Sequence, residues 1–148
     1  MGSPREKLKA FRVTSGKTPE EVALHAGITA PAYYDLESCV DEIETAISLL
    51  NLRKIASMFG IQPSSIFTDT KIEDREIVSP DQLANRIKNH LSNRNISMSE
   101  FEDRVGFEIR KCLNDSMSIL DWNVDCLRSV CQELDTDWLK ALPKAVLK

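Results

Sequence analysis

Apolar positions along this chain fall at helical spacing far more often than they alternate. The clearest run is Leu49, Leu52, Ile55, Ala56 and Phe59, answered near the other end by Cys126, Leu127, Val130, Cys131 and Leu134. Each run puts one apolar stripe on a helix, and each is followed by a short apolar tail, Ile66-Phe67 and Trp138-Leu139. Helix starts are marked as strongly as the stripes. Ser3-Pro4-Arg5-Glu6 sets an N-cap serine, proline at the first helical position and a glutamate able to reach back to the cap. Thr18-Pro19-Glu20-Glu21, Ser79-Pro80-Asp81-Gln82 and Ser97-Met98-Ser99-Glu100 predict three further capping boxes.

The order of these marks repeats. Thr18 follows Ser3 by 15 residues and Ser97 follows Ser79 by 18. In each half a glycine stands nine residues beyond the second box, Gly27 and Gly106, with an apolar residue, Ile28 or Phe107, directly after it. The pattern predicts an all-α chain of two units, residues 1–68 and 79–148, the second carrying the punctuation of a diverged duplicate. Residues 69–78, with Asp69, Lys71, Glu73, Asp74, Arg75 and Glu76, are expected as the joint.

Within the first unit, Thr18 to about Ala26 predicts one short helix, Gly27 a turn, and Thr29 the cap of a second helix running to about Glu37. Ala23, Ile28, Tyr33 and Leu36 are placed to pack the two helices together, the spacing of a helix-turn-helix. Leu8, Arg12, Gly16, Thr18, Glu21, Val22, Ala23, Gly27, Ile28, Thr29, Tyr33, Leu36 and Glu37, then Leu52, Ile55, Ala56, Phe59, Gly60, Ile61 and Phe67, resemble the phage-repressor and Cro-like family, often called XRE-like. The resemblance covers roughly Leu8 to Phe67. It implies a lambda-repressor-like helix-turn-helix bundle of five short helices, a third helix in the major groove, and dimers on paired half-sites. The resemblance implies a transcriptional regulator facing duplex DNA with Ala30, Ala32 and Tyr34, while the helix N-termini at Thr18 and Thr29 and the cations Lys9 and Arg12 are expected to meet phosphate.

Charge complicates that expectation. The chain carries 19 Lys plus Arg against 23 Asp plus Glu, a formal net charge of −4. Between Thr18 and Leu52 there is no Lys or Arg, while Glu20, Glu21, Asp35, Glu37, Asp41, Glu42 and Glu44 fall in that stretch. Phosphate contacts need cations or aimed N–H donors, and base reading favours Arg, Asn and Gln. The positions expected to face bases are Ala30, Pro31, Ala32 and Tyr34, followed by Asp35. Shifting by 79 residues puts Arg110 and Lys111 on Pro31 and Ala32, so the second unit holds cations where the first has none. Two readings of the chain therefore stand. One is a DNA-binding regulator using Lys9, Arg12, Arg110 and Lys111. The other is a protein-interaction module, antitoxin-like, immunity-like or adaptor, presenting Asp35, Asp41, Glu42 and Glu44 to a basic partner. The acidic segment Ser38 to Ile47 is either a solvated insertion or that recognition surface.

Other chemistry is sparse. Cys126 and Cys131 are five apart, neither a redox pair nor a zinc spacing, and His25 and His90 stand beside no recognised partner. Cys39, Cys112, Cys126 and Cys131 are expected as small buried residues in a reducing compartment. Trp122 and Trp138 are expected to pack in the core or between the units. No stretch has the length of apolar sequence that spans a bilayer, and the N-terminal residues lack a signal core. The expectation is a non-enzymatic cytoplasmic protein without cofactor or metal, homodimeric or paired within one chain.

Overall fold

The computed structural model describes residues 2–145, in which all regular structure is helical. The expected second unit thus loses residues 146–148, and the first loses residue 1, to positions outside the described range. The first half runs α1 (Pro4–Thr14), α2 (Pro19–Ala26), α3 (Ala30–Ser38), α4 (Glu42–Thr45) and α5 (Leu49–Phe59), then a 3-10 turn, Pro63–Ile66. The second half runs α6 (Pro80–Arg94), α7 (Met98–Val105), α8 (Lys111–Asn114), a 3-10 turn Ser116–Asp121, α9 (Val124–Glu133) and α10 (Trp138–Ala141). No described helix is long and apolar enough to cross a membrane.

The caps start helices where the sequence places them. Ser3, Thr18 and Ser79 each accept from the backbone N–H three residues on, and Glu6, Glu21 and Gln82 reach back to close the box. Ser97 caps α7 by accepting from Glu100 N–H, but the box stays open. Glu100 turns instead to Arg104 one helical turn later, at 3.4 Å. Gly27 and Gly106 end α2 and α7 with φ of 77° and 89°, the left-handed conformation that costs glycine least.

Packing within the two halves runs parallel in part, for the close packing of α2 on α3 and of α6 on the 3-10 turn 116–121 has no close counterpart. α1 packs on α3 and α6 on α8. α2 packs on α5 and α7 on α9, and the closing turn or helix of each half lies against α5 or α9. Contacts between the halves are reciprocal: α4 packs on α9, while α5 packs on the 3-10 turn 116–121. Backbone bonds stitch the seam. Leu49 N–H donates to Trp122 O at 2.7 Å and the Asn123 amide to Thr45 O at 3.1 Å. Phe67 and Trp138, from the two apolar tails, meet edge to face with ring centroids 5.3 Å apart. One buried apolar cluster runs from Leu8, Val22, Tyr33 and Leu36 through Leu49 and Leu52 to Phe101, Trp122, Leu127 and Val130.

Two stretches expected to lie apart from the core contribute to it. The acidic segment Ser38–Ile47 forms α4 and buries Ile43 and Ile47, so its apolar face, not its length alone, accounts for it. The charge-rich stretch 69–78 holds a 3-10 turn, Asp74–Glu76, and buries Ile72 and Val78; Val78 N–H donates to Lys140 O at 2.7 Å.

Candidate recognition surfaces

α2 and α3 pack closely through Ala23, Tyr33 and Leu36, all buried, with Ile28 half-buried at the turn. Thr29 caps α3 by accepting from Ala32 N–H at 3.2 Å. On that scaffold Thr18 and Thr29 are spent as caps. Ala30 and Ala32 are half-buried, leaving Pro31, Tyr34, Asp35 and the terminal Ser38 as the exposed part of the helix. The Tyr34 hydroxyl donates to Glu20 at 2.6 Å, which ties a carboxylate to the face expected to meet DNA.

Arg12 does not point outward. Its Nε donates to Glu37 Oε2 at 2.6 Å, its Nη2 to Glu37 Oε1 at 3.1 Å, and its Nη1 to Lys17 O at 3.0 Å. The side chains of this pair are only 13% and 9% exposed. Arg12 was expected at a DNA phosphate and is instead the fastener of α1 to α3, because Glu37 lies within a bidentate reach. Tyr33 sits beside the pair, and burial together with the Glu37 carboxylate pushes its phenol well above its usual range. Of the other N-terminal cations, Lys7 pairs with Asp69 at 2.6 Å and Arg5 donates to Ser38 O at 2.7 Å. Lys9 is exposed.

In the second half the corresponding place is built differently. α8 spans only Lys111–Asn114, its leading residue Arg110 makes no side-chain cap, and α7 and α8 lack the close packing of α2 on α3. The buried Glu102 takes the cap's role. Its carboxylate accepts from Ile109 N–H at 2.8 Å and Arg110 N–H at 3.2 Å, and from the Arg110 side chain at 2.6 Å. The Arg110 guanidinium and these backbone donors hold the Glu102 carboxyl down at about 2 against the burial that opposes them. Arg110, expected to meet phosphate, is thus committed to Glu102, while Lys111 is exposed with no ion pair among the described residues. By composition alone Glu102 is one more acid of the second half. Its spacing to Ile109, across the turn after Gly106, was the available signal.

The acids of the alternative surface are partly gathered. Asp41 and Glu44 line one small hollow with Arg5 and Cys39, Asp35 is exposed on α3, and Glu42 is half-buried. Val40, 68% exposed, adds an apolar residue beside them. Cys39 is exposed, unlike the buried Cys112 and Cys131. Trp122 is buried edge-on to Phe107, with centroids 5.3 Å apart, and Trp138 carries Arg128 over its ring at 4.6 Å. Compared with protein-family models, curated proteins and solved structures, the chain finds no significant match.

Proposed function

We propose that this protein is a non-enzymatic interaction module built on a duplicated helix-turn-helix scaffold that no longer reads DNA. One observation carries the reading: Arg12 and Arg110, the arginines placed for phosphate, are each committed to a carboxylate of their own half, Glu37 and Glu102. Bringing Arg12 to DNA means breaking a mostly buried, charge-assisted bidentate pair, while Arg110, 63% exposed, already has its charge matched by Glu102. The exposed part of α3 supplies Tyr34 and Asp35 without Arg, Asn or Gln, so direct base readout lacks its usual donors. The parallel packing within the halves supports duplication. The reciprocal contacts between them support a single chain supplying the pairing that an XRE-like protein achieves with two copies. The partner on this reading is a basic protein segment meeting Asp35, Asp41 and Glu44, with Glu42 at the margin.

The rival reading, a DNA-binding regulator of the XRE-like class, is favoured by Lys9 and Lys111, both exposed and without an ion pair among the described residues. Titration of a labelled duplex at about 50 and 200 mM salt separates the two, since a protein making several phosphate contacts loses orders of magnitude in affinity over that range. Absence of binding at the lower salt is expected. Tight binding that collapses at the higher salt would overturn the module reading. On the protein side, replacing Asp35, Asp41 and Glu44 by Ser is expected to abolish binding of a Lys- and Arg-rich peptide.

A further inference from the structure

α2, α5 and the 3-10 turn 116–121 leave a groove between them of about 490 Å³. Leu50, Met117 and Leu120 form its apolar wall, and His25, Arg53 and Lys54 stand around it. Met117 is 55% exposed. Arg53 and Met117 also border a second hollow of about 310 Å³ that continues past Ile77, Val78 and Pro143, where Asp74, its one carboxylate, is paired with Lys144 at 3.1 Å. No carboxylate lines the first groove, in a chain whose acids outnumber its bases. Among the described residues, His25, Arg53 and Lys54 make no ion pair.

From this placement we infer that the groove docks an acidic amphipathic segment of a partner protein. Its apolar side chains fill the wall of Leu50, Met117 and Leu120, and its carboxylates meet Arg53 and Lys54. The sign of the rim selects the charge of the occupant, and a basic segment is repelled there. A nucleic acid backbone satisfies the cations but leaves the apolar wall against phosphate and sugar. A small carboxylate fills one hollow and leaves the continuing one empty, whereas a helix laid along both uses them at successive turns. Methionine at the shared edge adapts to differing apolar side chains, and the arginine and lysine stems extend the apolar cover. This surface is independent of the acidic one around Asp41 and holds whichever function that one serves.

The test uses the full chain and a short fluorescent helical peptide with leucines at i, i+3 and i+7 and glutamates on the flanks. Saturable binding is expected, with the Met117 methyl resonance shifting on titration. Met117→Asp and Lys54→Glu, both at exposed positions and checked by circular dichroism, are each expected to weaken binding about tenfold or more. Unchanged affinity in both variants overturns the inference, as does equal binding of a glutamate peptide without leucines. A medium-chain fatty acid that shifts the same methyl while the peptide fails overturns it in favour of a small amphiphile. A dimer in light scattering that Met117→Asp dissolves overturns it in favour of a second copy.

Discussion

Arg12 and Glu37, 25 residues apart, clasp through two hydrogen bonds of 2.6 and 3.1 Å and close the N-terminal helix onto α3. Removing one partner leaves the other charge mostly buried and uncompensated. Arg12→Ala is expected to cost about 3 kcal/mol or more, read as a lowered urea midpoint, and Glu37→Leu a similar amount. Because both helices meet there, the double variant Arg12→Met with Glu37→Leu is expected to recover much of the loss. Additive losses would show that the pair is not the fastener.

Glu102 predicts an acid response. Its carboxyl lies at about 2 in the folded chain against an ordinary 4.5, lowered first by the Arg110 side chain and then by two backbone donors. A depressed carboxyl contributes stability that is whole above 4.5 and lost as pH falls through 2. Urea midpoints of the natural chain and Glu102→Gln at several pH values in that window are expected to converge as pH falls. Parallel curves would remove Glu102 as the source.

Gly27 and Gly106 both hold left-handed backbone with open space where a Cβ would stand. The penalty for Gly27→Ala is therefore conformational alone, about 1 kcal/mol, and Gly27→Asn is expected to cost less. Thermal melts of the equivalent Gly106 variants are expected to show the same order.

The seam predicts cooperativity. Phe67 and Trp138 belong to different halves, and a double-mutant cycle on their alanine variants is expected to give a coupling of about 0.5–1.5 kcal/mol. Calorimetry is expected to show one transition, since a single apolar cluster joins both halves. Two resolved transitions would mean that the halves melt separately.

Thiol labelling follows burial. Burial pushes Cys112 up to about 11 and Cys131 to about 12, and raises Cys126, whereas Cys39 is exposed. At pH 8 a disulfide reagent is expected to modify Cys39 rapidly, the half-buried Cys126 more slowly, and Cys112 and Cys131 only after unfolding. A Cys39→Ser variant that still labels quickly would contradict that order.

Helix boundaries were legible in the sequence wherever a local interaction sets them. Ser3, Thr18, Thr29 and Ser79 act within three residues of themselves, so their spacing sufficed. Long-range choices were not legible. Glu100 could close its own box or reach Arg104, and only the position of Glu133, which takes the other end of Arg104 at 2.9 Å, shows why it turns outward. Arg12 read as a free cation because its partner lies on another helix. Arg110 and Lys111 looked alike, yet only the first stands over Glu102. The core role of Ile43, Ile47, Ile72 and Val78 was masked by the acids around them, since composition reports the solvent side of a short amphipathic segment as readily as the buried side.

The reciprocal seam has a consequence for how the molecule works in dilute solution. In a two-chain assembly, pairing vanishes as concentration falls, and both members must carry the same surface residues. Here the chain connection keeps the two halves at a fixed ratio of one to one at any concentration. The two halves also differ at the surface, with an acidic patch near α4 in one and an exposed Lys111 in the other. A single molecule is then asymmetric in charge although the contacts that join its halves are reciprocal.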